Sequence, residues 1–205
     1  IIRRLAIAMT ESFRKNITVY AGSADGLKQV YLDAAWNLGE TLAKQGRTLV
    51  FGAGKTGLMG AVADGALAAG GKAIGIINDG LNLPHLAHAG LSELEILPDI
   101  HARQARMIQL ANAMIALPGG LGTFAELFEA LTWAQIGLHD KPVGMLNVEG
   151  YFDPLVDLIE NAIKENYIYP EHRRYFFVDD DPATLLARLD GFTPSSGINR
   201  WMERP

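Results

Sequence analysis

The sequence predicts an α/β fold, a doubly wound and mainly parallel sheet with helices on both faces, and three observations predict it. Short apolar runs alternate along the chain with segments of helical period. The runs are apolar throughout, as in strands covered on both faces, and do not alternate apolar with polar. Three glycine clusters follow three of the runs, at 22–26, 52–57 and 118–122. In a Rossmann-like sheet those positions are the carboxyl ends of strands, where ligands bind.

Ile17-Thr18-Val19-Tyr20 is the first strand. Over 27–46, apolar residues recur at Leu27, Val30, Tyr31, Ala34, Ala35, Leu38 and Leu42, which is helical spacing, and Gly46 is placed to cap the C-terminus. Thr48-Leu49-Val50-Phe51 is the second strand, and 57–69 a small-residue helix stopped by Gly70-Gly71. Ala73-Ile74-Gly75-Ile76-Ile77 is the third strand. Residues 78–90 lack periodicity and read as a loop before a short strand at 93–97. A helix over 101–112 leads into the strand Ala113-Met114-Ile115-Ala116-Leu117, and after the third glycine cluster Leu127-Phe128-Glu129-Ala130-Leu131-Thr132-Trp133 is helical. A strand at 142–146, an amphipathic helix at 152–166, a strand at 175–178 and a helix at 182–189 complete the pattern. No repeat or domain-scale linker interrupts it. The expectation is a single domain over 1–205 with irregular ends at about 1–15 and 193–205.

Composition narrows the function. The 205 residues carry a net charge of −5, so bulk attraction to nucleic acid or an anionic membrane is not the design principle. There is no cysteine, which excludes disulfide scaffolds and thiol catalysis and permits a reducing, cytoplasmic setting. No apolar stretch approaches the about 18 residues of a membrane span. The apolar part of the first ten residues is too short for a secretion signal and has no clear cleavage site.

Pro118-Gly119-Gly120-Leu121-Gly122-Thr123-Phe124-Ala125-Glu126 is the most informative stretch. A strand, a glycine turn and a helix N-terminus together make an anion site, because the first helical N–H groups are free and the dipole is positive there. Gly119, Gly120, Leu121, Gly122 and Thr123 are the candidate phosphate contacts, and Glu126 would lie close to whatever the phosphate carries. A plain structural account exists: Thr123-x-x-Glu126 has the form of a capping box. A simple cap needs neither the upstream glycines nor Pro118, and they favour the ligand reading. Gly52, Gly54 and Gly57 match G-x-G-x-x-G after a strand, with Asp79 ending the next strand. That pattern suits a general phosphate or ribose contact, structural turns, or a dinucleotide site. Arg103 opens a helix, where a cation calls for a compensating anion such as a phosphate or Glu126. Arg106 reads as a solvated basic face. His85, His88 and His101 have no specific metal spacing and read as loop histidines.

Taken together these motifs resemble the Lonely Guy (LOG) proteins, cytokinin riboside 5′-monophosphate phosphoribohydrolases often labelled lysine decarboxylases. The resemblance is carried by Pro118-Gly119-Gly120-x-Gly122-Thr123-x-x-Glu126, preceded by Arg103 and followed by Thr132-Trp133-Ala134-Gln135. It extends to Gly22-Ser23, to Gly52-x-Gly54-x-x-Gly57-Leu58-Met59-Gly60, to His139-Asp140-Lys141-Pro142-Val143-Gly144 and to Asn147-x-x-Gly150-Tyr151-Phe152. It implies a homodimer that hydrolyses a nucleoside 5′-monophosphate to free base and ribose 5-phosphate. The family's paired arginine and glutamate fall on Arg103 and Glu126, the expected catalytic pair, and Gly22, Ser23, Gly54 and Gly57 are further candidate substrate or phosphate contacts. The chain departs from the family at Gln104 (usually Lys), at Ala125 (usually acidic) and at Ala53 within a usual triple glycine, and its loop at 78–92 is atypical. These departures bear on substrate preference.

The implied chemistry agrees with the residues. Breaking an N-glycosidic bond builds positive charge on the ribose, which a fixed carboxylate stabilises while directing water. A phosphate held at a helix N-terminus positions the ribose with binding energy remote from the bond. Such a reaction needs no metal and no redox cofactor. An NAD(P)-dependent oxidoreductase and a non-catalytic nucleotide carrier are the alternatives on the same fold.

Overall fold

The computed structural model describes residues 15–194. The expected irregular ends lie mostly outside them. Seven strands form one sheet in the order β4-β3-β2-β1-β5-β6-β7. They are β1 (Asn16–Tyr20), β2 (Thr48–Phe51), β3 (Lys72–Asn78), β4 (Glu93–Leu97), β5 (Ala113–Ala116), β6 (Val143–Leu146) and β7 (Phe176–Asp179). Every pairing is parallel. Among the described residues five α-helices lie between strands, α1 (Gln29–Lys44), α2 (Gly57–Ala68), α3 (Ile100–Leu110), α4 (Leu121–Gln135) and α5 (Asp153–Lys164); α6 (Pro182–Asp190) follows β7, and no α-helix separates β3 from β4. No helix of the described residues is long and apolar enough to cross a membrane.

The strands sort their side chains with period two. Ile17 and Val19, Leu49 and Phe51, and Ala113 and Ile115 join one core with Leu38 and Leu42 of α1, Val62 and Ala66 of α2, and Leu186 and Leu189 of α6. Tyr20, Val50, Met114, Ala116 and Met145 face the other way, onto Met107 of α3, Leu127 and Ala130 of α4, Ile159 of α5 and Phe152 just before α5. Burial on both faces is why the runs read as continuously apolar. Thr18 and Thr48 are buried polar residues in these strands, and the Thr18 hydroxyl donates to the Met107 carbonyl at 2.9 Å.

Helix ends follow local chemistry. Gly46 adopts φ +71°, as a C-terminal glycine should. Asp99 caps α3 through its carboxylate, which accepts from Ala102 N–H at 2.8 Å. The C-terminal carbonyls of α3 at Ile108 and Gln109 accept from Lys141 Nζ, at 2.6 and 3.2 Å. Among the family motifs, then, His139 to Gly144 contributes a helix cap. Asn78, expected to open the loop, instead ends β3, and the loop starts with a single 3-10 turn at Asp79–Leu81.

Strand order reverses between β1 and β5, and their carboxyl ends open a crevice there.

Candidate active site

Two loops meet at that crevice, one after β1 and one after β5. Gly22 N–H donates to the Pro118 carbonyl at 3.1 Å. The contact is so close that a Cβ on Gly22 would lie 3.0 Å from Gly119 Cα. Around the junction lies a cavity of about 640 Å³, lined by Gly22, Ser23, Gly52, Gly54, Gly119, Gly120, Gly122, Thr123, Arg103 and Glu126. That size suits a small-molecule ligand.

The helix α4 begins at Leu121, with Gly120 as its N-cap and no side-chain cap. This corrects the capping-box alternative. Thr123 is the third helical residue, so Glu126 lies in the second turn and does not return to a capping N–H. The first intrahelical donor is Phe124 N–H, to the Gly120 carbonyl at 3.0 Å. Among the described residues no acceptor meets the N–H groups of Leu121, Gly122 or Thr123. They are the free donors of a helix N-terminus, at the positive end of its dipole. Thr123 is buried, and its hydroxyl occupies the space a side chain on Gly119 would take, 2.1 Å from an ideal Cβ.

The other glycine-to-helix junction is closed. Met59 N–H, in the first turn of α2, donates to the Gly22 carbonyl at 3.1 Å, and Thr56 Oγ1 donates to the Ser23 carbonyl at 2.7 Å. Gly57 has φ +60°, and a Cβ there would sit 2.7 Å from the Ala24 carbonyl oxygen. Backbone of the β1 loop thus occupies the place where a pyrophosphate would approach a dinucleotide fingerprint. Gly57 builds this junction and is not among the cavity-lining residues. Leu121 is not among them either, and its side chain is 87 % exposed. Gly52 and Gly54 do line the cavity, for a steric reason. A Cβ on Gly52 would lie 2.0 Å from Arg103 Nη2, and one on Gly54 2.7 Å from Met59 Sδ. The glycines make room for an arginine and a methionine.

Arg103 and Glu126 come together from α3 and α4. Both are buried, at 7 % and 8 % exposure. Arg103 Nε donates to the Ile76 carbonyl at 3.0 Å, and Nη1 lies 3.5 Å from Glu126 Oε1. Burial pushes the Glu126 carboxyl up from 4.5 to about 7. Arg103 pulls it down, less strongly, and Glu129 one turn further on adds to the rise. Burial outweighs the ion pair because a carboxylate taken from water loses more than one neighbouring cation at this distance returns. Glu126 therefore titrates in the neutral range, where a general base or an electrostatic stabiliser is poised. Glu129 is itself shifted upward by burial, with His101 opposing, and its Oε2 is buried without a hydrogen-bond partner.

Tyr151 was not singled out as a site residue, yet it lines the cavity and its hydroxyl donates to the Gly119 carbonyl at 2.5 Å. Asn147 holds that turn, accepting from Phe152 N–H at 2.7 Å and donating to Asp153 at 2.7 Å. The Asn147 to Phe152 motif thus braces the glycine loop after β5. Met59, Leu81 and Leu86 also line the cavity, none of them a candidate site residue from the sequence. Arg106 is less free than expected: it pairs with Glu95 of β4 at 2.9 Å. Among the described residues, no group of three or more histidine, cysteine or acidic side chains could hold a metal ion, and His88 pairs with Asp64 at 3.0 Å.

Comparison with known proteins places this arrangement. A family model described as possible lysine decarboxylase matches residues 59–189. A probable cytokinin riboside 5′-monophosphate phosphoribohydrolase of Oryza sativa subsp. japonica is 39 % identical over 190 residues, 93 % of this chain and 78 % of that protein. A cytokinin riboside 5′-monophosphate phosphoribohydrolase of Arabidopsis thaliana is 40 % identical over 184 residues, 90 % of this chain and 86 % of that protein. Among solved structures, a molybdenum cofactor binding protein from Rippkaea orientalis superposes with a TM-score of 0.64 at 23 % identity, over 85 % of this chain and 94 % of that one, which shows a shared fold. Sequence identity of this extent, over most of both chains, means that the protein belongs to the LOG family of cytokinin riboside 5′-monophosphate phosphoribohydrolases, the family described in sequence models as possible lysine decarboxylase.

Proposed function

We propose that the protein hydrolyses the N-glycosidic bond of an adenosine or cytokinin riboside 5′-monophosphate, giving free base and ribose 5-phosphate. One observation carries this reading: the open N-terminus of α4 and the buried Glu126 stand on the same helix, with Arg103 beside the carboxylate. The N–H groups of Leu121, Gly122 and Thr123 take the 5′-phosphate, assisted by the helix dipole. Gly119 and Gly120 let the backbone approach it. The ribose then extends toward Glu126.

As the bond to the base lengthens, positive charge grows on the ribose ring. Ionised Glu126 stabilises it and accepts a proton from the attacking water, whose oxygen bonds to the anomeric carbon. The electron pair of the broken bond leaves with the base. Arg103, fixed by the Ile76 carbonyl, holds the Glu126 carboxylate in place and adds a cation near the anionic substrate. The names of the relatives support the same reaction. The closed N-terminus of α2 gives an NAD(P)-dependent reading no support.

The test is incubation with AMP and with N6-isopentenyl-AMP, followed by chromatography for free base. Release from the nucleotides but not from adenosine is expected. Equal rates on adenosine and AMP would refute the phosphate site, and nucleotide binding with no base release would favour a carrier.

A homodimer is part of the proposal. Along α4 and its end, Leu121, Phe128 and Leu138 are exposed at 87 %, 40 % and 64 %. An apolar row of this kind is a surface that a second copy would cover. Sedimentation at micromolar concentration should show twice the chain mass of 22.2 kDa, and a monomer would refute it.

A further inference from the structure

We propose that Tyr151 is a positioning residue for the anion site: its hydroxyl locks the Gly119–Gly120 peptide in the orientation that turns the Gly120 N–H toward a bound phosphate. This rests on the phosphate site of the proposed reaction and names the side chain that assembles it. Three successive carbonyls of the glycine loop are held from within the chain. The Pro118 carbonyl accepts from Gly22 N–H at 3.1 Å, and the Gly120 carbonyl accepts from Phe124 N–H at 3.0 Å. Between them, the Gly119 carbonyl accepts from the Tyr151 hydroxyl at 2.5 Å. The outer two bonds are backbone to backbone. The middle peptide depends on a side chain, and it is the one with glycine on both sides. A peptide unit between two glycines turns over with little steric resistance. Packing does not hold it at Gly120, where an added Cβ would meet nothing within 4 Å.

The peptide plane couples its two ends. In a trans peptide the C=O and N–H point in opposite directions. With the Gly119 carbonyl drawn to Tyr151, the Gly120 N–H faces away from that hydroxyl, and it meets no acceptor among the described residues. It directly precedes the open N–H groups of Leu121, Gly122 and Thr123, and successive backbone donors of this kind form an anion-binding nest. A turned-over peptide would withdraw the Gly120 N–H and swing the negative end of a carbonyl toward the phosphate. The hydroxyl has a single hydrogen, which the Gly119 carbonyl takes, so Tyr151 acts through the loop and does not donate to the phosphate. The tyrosine is itself held firmly. Its ring meets Tyr31 edge-on at 6.1 Å and Phe152 at 5.1 Å. The turn that delivers it carries Glu149 at φ 53° and Gly150 at φ 69°. A glutamate in the left-handed region is strained, and strain of this kind gathers at functional sites. Tyr151, Gly119 and Gly120 all line the cavity.

Tyr151→Phe removes the hydroxyl and keeps the ring. Wild type and variant are titrated with ribose 5-phosphate and with adenine, by calorimetry and by amide NMR spectra. In wild type the amide protons of Gly120, Leu121, Gly122 and Thr123 should all move downfield with ribose 5-phosphate, as N–H groups do on meeting an anion. In the variant the Gly120 shift should vanish while the other three persist, and Kd should rise about tenfold, the worth of one net hydrogen bond. Affinity for adenine, which carries no phosphate, should stay the same. A Gly120 amide that is silent in wild type, or that moves equally in the variant, would overturn the proposal. So would an unchanged Kd for ribose 5-phosphate. Equal weakening of adenine and ribose 5-phosphate would overturn it too, since the hydroxyl would then support the whole cavity. If Tyr151→Phe does not fold, the wild-type titration decides: a downfield Gly120 amide supports the lock, and a silent one overturns it. Base release from AMP is measured separately. Its absence, with ribose 5-phosphate bound as expected, would end the phosphoribohydrolase reading and leave the role of Tyr151 standing.

Discussion

Replacing Glu126 by Gln tests chemistry and energetics together. Gln keeps the shape and removes the charge, much as protonation does. The carboxyl titrates at about 7 in place of 4.5, and at about 1.4 kcal/mol per unit the ionised form destabilises the fold by about 3 kcal/mol, with the attraction of Arg103 already included. The sign follows from proton binding. A carboxylate with a raised folded pKa holds more protons when folded, so its contribution is intact below about pH 4.5 and is lost as pH rises through about 7. Glu126→Gln should lack that slope. Its melting temperature should match wild type near pH 4 and exceed it above pH 7.5, by roughly 6–12 °C at ~2–4 °C per kcal/mol for a chain of this size. Turnover should fall about 100-fold or more, the scale of losing one electrostatic stabiliser. The assay pairs thermal melts from pH 4 to 8.5 with base release on the better nucleotide. In wild type kcat/KM should rise with an apparent pKa of about 7 as Glu126 ionises, and the variant should lose this limb. A melting gap that does not change with pH, or turnover near wild type, would refute the reasoning.

Other perturbations reach the same site from outside. Gly52→Ala should lower kcat/KM tenfold or more without touching substrate, because its Cβ would lie 2.0 Å from Arg103 Nη2; kinetics equal to wild type would show that Arg103 need not sit where it does. Glu129→Gln removes a negative charge that helps raise Glu126, so the acid limb of kcat/KM should move below pH 7, and an unmoved limb would dismiss the coupling. His139 is held down to about 4 from 6.5, by burial and then by Lys141. A histidine with a depressed folded pKa binds fewer protons when folded, so stability should fall by about 2 kcal/mol, after discounting for partial exposure, as pH drops from about 6.5 to 4. Urea unfolding of His139→Asn across that window should show a shallower slope.

Much of this was legible in the sequence because the signals are local. Thr48 to Phe51 and Glu93 to Leu97 become strands with the expected bounds, since apolar runs between glycine and polar breaks leave little freedom. Gly46 ends α1 because it alone nearby tolerates φ +71° without cost. The start of α4 was misjudged by the capping alternative, which weighed Thr123 as a cap. Propensity disfavours Leu121-Gly122 as a helix start, and tertiary contact overrides it: Gly119 is pinned between Gly22, Thr123 and Tyr151. The pairing of Arg103 with Glu126 was foreshadowed by a cation misplaced in a first turn and by the family resemblance, and by no local pattern. Leu86 and Tyr151 carried no periodic signal, because each is placed by hydrogen bonds to a distant turn.

The two glycine-to-helix junctions show why motif spelling alone could not divide the roles. Both follow a buried strand and open a helix, and each offers free N–H groups to an anion. The strand order separates them. β1 lies between β2 and β5, so the loop leaving β1 at Gly22 and Ser23 must pass over both junctions. It presents its carbonyls to α2, at Met59 N–H and Thr56 Oγ1, and its own N–H to the Pro118 carbonyl beside α4. A peptide unit has a donor side and an acceptor side, and the acceptor side neutralises the helix end it faces. Met59 N–H at the N-terminus of α2 is therefore satisfied from within the chain, whereas the N–H groups of Leu121, Gly122 and Thr123 at that of α4 meet no acceptor among the described residues. Gly52 and Gly54 give their space to Arg103 and Met59. One crossing loop thus turns two similar motifs into an end with three open donors and an end packed against backbone, while the space at Gly52 lets Arg103 reach the carboxylate on α4.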